Sequence, residues 1–377
     1  MTITTQLALL NNLSPIEFMR KHWQKKPLFV SSSIPNAATF IDRNTLFELA
    51  SHEGVESRLV IYTKRKWDVQ YGPFSKPFLR KLPKKNWTLL VQGVNLHLQK
   101  ASDLLNSFAF LPYARLDDLM VSYAAPGGGV GPHFDSYDVF LLQGEGCRQW
   151  QISNQNDLSL VPDAPLKILR RFKPQQEWSV NPGDLLYLPP HYAHQGTAIT
   201  HCMTYSIGFR SPSAQDLTHR FFNFLQDRVE TSEQYADPEL RATRHPALIP
   251  TALQSSFLNI LKNNTRWRQQ DILQFIGEDL STPKDHITFE LPSPALSKIN
   301  FLKLVRKYGM RLTLTSILLY DNMAFYINGE RHHSPPSKNK TLLTLADHRK
   351  LPPSNIEPFS ANILYQWYRC GYLQIDQ

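Results

Sequence analysis

The hydrophobic period of this chain changes at one place, and that change limits what it can fold into. From about residue 58 to 210 the apolar residues fall in short runs, among them WTLLVQGV, DLMVSYAA, YDVFLLQ, RQWQIS, DLLYLPP and MTYSIGF, separated by Gly and Pro. Runs of this length, rich in β-branched and aromatic side chains and bounded by turns such as Gly144-Glu145-Gly146 and Asn181-Pro182-Gly183-Asp184, are strands. Many in succession predict a barrel or sandwich. After Arg210 the spacing turns helical, from Ser211-Pro212-Ser213 through Leu217, Phe221, Phe224 and Leu225, then Leu253 to Leu261 and Ile272 to Leu280.

Before the strands, Ser14-Pro15 reads as an N-cap with proline in the first helical turn, and a second helix covers Arg43 to Ser51. A polar stretch at Ser281-Thr282-Pro283-Lys284 marks another boundary. Beyond it the pattern predicts a helix from Ser297 to Tyr308, strands Arg311 to Tyr320 and Ala324 to Asn328, and helices Thr341 to Leu351 and Ser360 to Cys370, the last stopping at Gly371. Helices with a two-stranded wing suggest a winged-helix-like module. The expected division is therefore 1–212, 213–281 and 282–377. The middle, helical segment has little core of its own, so a second copy is expected to complete it as a homodimer.

The formal net charge of +9 argues for an acidic partner but is unevenly spread. Residues 58–100 hold ten Lys or Arg against one acid, and 298–350 hold ten against three; residues 101–150 reverse this, with six acids and two arginines. Three cysteines, Cys147, Cys202 and Cys370, are too few and too dispersed for a disulfide framework. With no basic leader and no apolar run of about 18 residues, a cytoplasmic protein without a membrane partner is expected.

His133-Phe134-Asp135 sets two ligand-type side chains on one face of an extended segment. One such pair is about what chance supplies, so it needs company. Downstream, PGDLLYLPP leads into PPHYAHQG, where His194 follows a buried apolar strand. In a double-stranded β-helix that histidine returns beside the first pair, giving two imidazoles and one carboxylate on one face of a metal. Fe(II), holding a cosubstrate and dioxygen in its open positions, and catalytic zinc both suit such a set. A 2-oxoglutarate cosubstrate would bury its distal carboxylate and so require a cation, and Arg148, at the start of RQWQIS, is placed to face it. His191 competes with His194 for the third position but reads as a rim residue.

The chain resembles the bacterial ribosomal oxygenases, 2-oxoglutarate-dependent arginine hydroxylases of the JmjC and cupin superfamily. The segments that carry the resemblance are HWQKKPL, WTLLVQGVN, DDLMVSYAAPGGGVGPHFDSYDVFLLQGEGCRQW, PGDLLYLPPHYAHQG and YSIGFRSPS, which include an arginine fifteen residues after the first histidine. The resemblance implies His133, Asp135 and His194 as iron ligands, Arg148 as partner of the cosubstrate carboxylate, and Ser122 as a second residue touching it. His191 departs from it, standing where similar bacterial proteins have a small residue. It further implies a JmjC/cupin double-stranded β-helix domain, a helical dimerisation region and a winged-helix-like domain. The implied reaction is 3-hydroxylation, at the β-carbon, of an arginine in large-subunit ribosomal protein sixteen. Asp117, Asp118 or Asp138 could receive the guanidinium, and the basic flanks suit work near ribosomal RNA. Two alternatives remain at this point beside a zinc hydrolase, which is disfavoured because no obvious general-base glutamate accompanies the histidines. One is a JmjC hydroxylase of histidine or lysine in another protein. The other is a non-catalytic cupin-type metal-binding regulator that contacts nucleic acid, although Thr341 to Leu351 offers only His348, Arg349 and Lys350 as a basic recognition surface.

Overall fold

The short apolar runs pair as antiparallel strands because each turns alternate side chains to opposite faces, and here both faces find an apolar partner. The computed structural model describes residues 3–229, 234–238, 240–242, 244–264 and 266–376. The chain divides into two compact units, Met1–Ser211 and Pro212–Gln377. The first holds β1 (Leu28–Val30), β2 (Ser57–Thr63), β3 (Lys66–Tyr71), β4 (Trp87–Val91), β5 (Leu116–Ala124), β6 (Val139–Glu145), β7 (Arg148–Ser153), β8 (Gln176–Val180), β9 (Leu185–Leu188), β10 (Ala193–Ala198) and β11 (Cys202–Phe209). Its helices are α1 (Pro15–Lys21), α2 (Arg43–Leu49), α3 (Lys76–Arg80) and α4 (Gln99–Asn106).

Eight strands form one sheet in the order β1-β9-β6-β11-β5-β4-β2-β3, and β10, β7 and β8 form a second of three. The register sorts the side chains of the large sheet. Leu90, Ser122, Thr204 and Gln143 stand in one cross-strand row, with Thr88, Ala124 and Cys202 in the next row on the same face. This face turns inward, where Val139, Leu141, Leu186 and Leu188 pack against Trp150, Ile152 and Val180 of the small sheet. The opposite face, including Leu89, Val121, Tyr205 and Leu142, joins a larger core with Phe18 of α1, Leu46 and Phe47 of α2 and Leu104 of α4. The result is a cupin-type barrel clothed in helices on its outer side.

The helix starts follow their caps. Glu17 N–H donates to Ser14 Oγ at 3.3 Å and Ser14 N–H donates to Glu17 Oε2 at 3.0 Å, a reciprocal box with Pro15 in the first turn. At α2, Asp42 accepts from the N–H groups of Asn44 and Thr45.

The second unit holds α5 (Ala214–Gln226), α6 (Thr251–Asn264), α7 (Gln269–Ser281), α8 (Lys298–Tyr308), α9 (Lys340–His348) and α10 (Pro358–Arg369). Its strands are β12 (Met310–Leu312), β13 (Leu318–Tyr320), β14 (Phe325–Ile327), β15 (Glu330–His332), β16 (Lys350–Leu351) and β17 (Leu373–Ile375). The strand expected over Arg311 to Tyr320 is two strands in different sheets. The hydroxyls of Thr313 and Ser316 lie 2.8 Å apart and both within hydrogen-bonding distance of the Tyr372 carbonyl, one donating to the other and one to the carbonyl, so the chain turns between them. β12 accordingly pairs with β16 and β17, while β13 begins a β13-β14-β15 meander. Helix α9 stops at His348, short of the expected Leu351, because Arg349 takes a left-handed φ of 56° and Lys350–Leu351 joins β12.

Helix α7 belongs with that meander: Gly277 lets the Tyr326 ring lie against it, and Arg331 Nη1 donates to Gln274 Oε1 at 2.7 Å. Segments 213–281 and 282–377 thus share one compact unit, although residues 230–233, 239, 243 and 265 of the helical segment lie outside the described residues. Among the described residues, α5 and α6 contain no fully buried side chain, and Phe222 and Leu261 are 57% and 59% exposed.

In the first unit Gly196 faces Trp150 across β10 and β7, and a Cβ there would stand 2.6 Å from the indole. Gly196→Ala should therefore destabilise the unit by about 1–3 kcal/mol through overpacking. Urea denaturation reads this directly, and a variant as stable as the wild type would show that the barrel relaxes around the added methyl.

Candidate metal centre

Residues 131–135 run as an irregular extended segment that touches β10 at one point. His133 N–H donates to the His194 carbonyl at 2.9 Å and His194 N–H returns the bond at 2.7 Å, an isolated antiparallel bridge. The bridge sets the two imidazoles side by side, centroids 4.2 Å apart. Each ring is oriented by the carbonyl two residues upstream: His133 Nδ1 lies 2.9 Å from Gly131 O, and His194 Nδ1 lies 2.9 Å from Tyr192 O. A carbonyl only accepts, so Nδ1 carries the hydrogen in both rings and Nε2 is left as a lone-pair donor. Asp135 completes the group, with Oδ2 3.7 Å from His194 Nε2. The candidate ligand atoms of His133, Asp135 and His194 all lie within 4.8 Å of one another, the one such cluster among the described residues. Two neutral imidazoles and a carboxylate fit a divalent first-row metal and leave coordination positions open.

The surroundings tune these groups. Tyr137 is 39% exposed, but its hydroxyl end is sunk beside Asp135 and Asp118. Burial first, then the Asp135 charge, pushes its phenol well above the ordinary range and keeps it a hydrogen-bond donor to Asp135. His191 is exposed and outside the cluster; its N–H donates to the Asp135 carbonyl at 2.7 Å, and it holds a left-handed φ of 65°. Histidine is among the non-glycine residues enriched in that left-handed region.

Inside the barrel, β7 and β10 pair Arg148 with Ala198, Trp150 with Gly196 and Ile152 with His194, so Arg148 shares its face with the metal-ligand candidate. Arg148 is 5% exposed, its guanidinium 5.5 Å from the Trp150 ring centroid. Its Nε and Nη2 are buried and have no hydrogen-bond partner. A buried guanidinium with unpaired donors is costly, and an anion in the barrel would remove the cost. Ser122, 3% exposed, stands on the facing sheet. Sequence reasoning missed Thr88, which is 1% exposed on the same inner face with its Oγ1 also unpaired. It also missed Gln143 and Thr204, which satisfy each other at 3.0 Å. Period-two alternation on β4, with Trp87 and Leu89 outward, was the signal that could have found Thr88.

The structure separates the three acids considered for a guanidinium. Asp138 is fully buried and accepts from Tyr187 Oη at 2.7 Å, Gln24 Nε2 at 3.0 Å and Arg115 Nη2 at 3.4 Å, so it is committed to the fold. Asp117 is exposed, 4.0 Å from Arg210 Nε. Asp118 is 8% exposed, accepts from Gly93 N–H at 3.0 Å, and lies on the inner side of β5 near the Tyr137 hydroxyl.

This arrangement has counterparts. The JmjC domain profile matches residues 103–217. The ribosomal protein uL16 3-hydroxylase of Escherichia coli is 34% identical over 331 residues, covering 85% of each chain. The chain belongs to the JmjC ribosomal oxygenase family. A probable ribosomal oxygenase of Haemophilus influenzae is 38% identical over 242 residues, 63% of this chain and 57% of that one. Among solved ribosomal oxygenases, one from Escherichia coli in complex with cobalt and 2-oxoglutarate superposes with a TM-score of 0.79 at 30% identity, covering 97% of this chain and 99% of that one.

Burial pushes the His194 imidazole down to about 4, with the neighbouring His133 adding to the effect and Asp135 opposing it. The unfolded chain, near the ordinary 6.5, then binds this proton more readily than the folded one. The metal-free protein should therefore keep this contribution above pH 6.5 and lose it as the pH falls toward 4, by roughly 3 kcal/mol at about 1.4 kcal/mol per unit. Comparing urea midpoints of wild type and His194→Asn across that range isolates the term, and a difference independent of pH would refute it.

Proposed function

We propose that this protein is an Fe(II)- and 2-oxoglutarate-dependent oxygenase that hydroxylates the β-carbon of an arginine in the large-subunit ribosomal protein uL16. The observation that carries the proposal is Arg148, a buried cation with unpaired donors on the same barrel face as a ligand set of two histidines and an aspartate. When bound, iron, 2-oxoglutarate and dioxygen supply the oxidising power: the keto acid becomes succinate and carbon dioxide, and one oxygen atom enters the target C–H bond. His133, Asp135 and His194 hold the iron. Arg148 pairs with the distal carboxylate, Ser122 offers a hydroxyl to it, and Thr88 offers a second. Ala198, opposite Arg148, lies four residues from His194 along β10, roughly 13 Å of strand, which the arginine side chain and a short keto diacid together fill. Trp150 and the aliphatic residues around it keep water out. Asp118, with the Tyr137 hydroxyl nearby, receives the substrate guanidinium at the mouth.

The exposed apolar side chains of α5 and α6 support a homodimer formed through segment 213–281, and the meander packed with α8 to α10 supports a winged-helix-like 282–377. No described helix is long and apolar enough to cross a membrane, which agrees with a cytoplasmic site of action. The basic stretches 58–100 and 298–350 suit proximity to ribosomal RNA. A nucleic-acid-reading regulator is disfavoured, because Arg349 Nη2 is spent on the carbonyls of Thr313 and Ser316.

Incubating the protein anaerobically with Fe(II) and 2-oxoglutarate should give a visible charge-transfer band. Adding oxygen and a uL16 peptide should then add a single oxygen atom, located by mass spectrometry; absence of both sinks the proposal. Arg148→Ala should weaken 2-oxoglutarate binding by about 2–5 kcal/mol, roughly thirtyfold or more, while Fe(II) affinity changes little. Equal losses of both in calorimetric titrations would point instead to a collapsed barrel. Asp118→Asn should lower kcat/KM for the arginine peptide by about 1.5–3 kcal/mol, mainly through KM. Unchanged peptide kinetics would remove Asp118 from substrate recognition.

A further inference from the structure

Three segments meet at Gly131. A Cβ built on it would stand 2.7 Å from Ile168 Cδ1 and 2.8 Å from Trp67 Cζ2, and its φ is +77°. Its carbonyl holds the His133 ring, and the next carbonyl, of Pro132, accepts from Leu169 N–H at 2.8 Å. Two stretches far apart in sequence are thereby pinned beside the start of the His133–Asp135 pair. One is the tip of the β2–β3 hairpin, where Lys64, Arg65 and Lys66 precede Trp67. The other is the insert between β7 and β8, where Lys167, Arg170, Arg171 and Lys173 surround Ile168 and Leu169. The insert is ordered by its own bonds: Val161 N–H to Ile168 O at 2.8 Å, Arg170 N–H to Ser159 O at 2.9 Å, and Gln155 Nε2 to Arg171 O at 2.8 Å.

All seven of these cations are exposed, and none is in an ion pair among the described residues. The same two stretches contain three carboxylates, Asp68, Asp157 and Asp163, leaving an excess of four positive charges (seven minus three) around the mouth. Asp68 is engaged by Gln70, and Asp157 by Ser159. This rim lies beside the His133–Asp135 segment and is opposite in sign to the carboxylates of Asp135 and Asp118. A free cationic peptide would be repelled by it, whereas a polyanion that carries such a peptide would be drawn in. The hairpin also offers an aromatic face: Tyr62, 36% exposed, lies against Trp67 with centroids 4.3 Å apart and the rings tilted by 36°. Cations interleaved with an exposed ring suit phosphates and bases rather than the carboxylates of an acidic protein.

We infer that this rim is an RNA-binding surface, on which the β2–β3 tip and the β7–β8 insert grip a strand of RNA while a segment of protein bound to that RNA enters the barrel. The assignment rests on the proposal that the substrate is a ribosomal protein, and it makes the preferred substrate an RNA-bound form of that protein.

The test uses the full chain and a fluorescein-labelled, mixed-sequence single-stranded RNA of about twelve nucleotides, within the usual site sizes for such grooves. Anisotropy titrations over a salt series should give a linear fall of log K with log salt, steeper by about 0.7 for each phosphate engaged. The variants K64Q/R65Q/K66Q and K167Q/R170Q/R171Q/K173Q should each bind about tenfold more weakly and flatten the slope by roughly two to three, with unchanged thermal melting and with turnover of a short arginine peptide no lower than wild type, since less of the rim's positive charge repels it. RNA affinity equal to wild type in both variants, or a poly-glutamate peptide that binds as tightly as the RNA, overturns the assignment. Peptide turnover on the same samples separates the two claims. Turnover without RNA binding overturns the rim alone, whereas RNA binding with neither turnover nor the Fe(II)–2-oxoglutarate charge-transfer band supports the rim and overturns the oxygenase proposal.

Discussion

Two backbone hydrogen bonds between His133 and His194 organise the first unit. They extend the small sheet by one position and bring ligand candidates from remote parts of the chain side by side. They also place each imidazole where the carbonyl two residues behind it can hold Nδ1. The same local device thus orients both rings, and the burial of His194 keeps its imidazole neutral against the opposing charge of Asp135. Asp135 is therefore free to contribute its carboxylate to the cluster instead of serving as a counter-ion. Change the bridge and the rings, the carboxylate and the entry to the barrel lose their common reference.

The barrel interior is polar in a restricted way. Gln143 and Thr204 bond to one another, whereas Arg148 and Thr88 retain unpaired atoms. Unmet donors at these positions are a local cost that native proteins carry where a ligand is to be received. Trp150 gives the guanidinium a flat face to lie beside, and Gly196 leaves the indole the room it needs. A larger residue at 196 would push the tryptophan toward the space a cosubstrate requires.

Much of this was legible in the sequence for physical reasons that can be named. Period-two apolar runs marked the strands, and the Ser14-Pro15 cap marked α1, because both signals are local. The H-x-D spacing and a histidine after a buried apolar strand are local signals that foretell His133, Asp135 and His194 lying together, and alternation along RQWQIS foretells the inward face of Arg148; their roles as ligands and anion partner belong to the proposal. Other features were not readable. Whether Asp138 faced a ligand or the fold depended on Tyr187 and Gln24, contacts that no spacing encodes. The break of one expected strand into β12 and β13 depended on Thr313 and Ser316 finding the Tyr372 carbonyl, again a long-range partner. Thr88 looked like an ordinary strand residue until the register set it beside Ala124 and left its hydroxyl unmet.

The strand order has a consequence for the birth of the molecule. β11, the last strand of the first unit to be synthesised, lies between β5 and β6, and β1 near the N-terminus pairs with β9. Until residue 209 has left the ribosome the large sheet is two separate halves with exposed edges, and the N-terminal strand must wait for β9 before it has an edge to pair with. Closure is thus a single late event of high contact order, slow compared with helix formation and vulnerable to mispairing while it waits. The helices of the second unit emerge only after the strand that closes the barrel, so translation itself favours completing the one before the other begins.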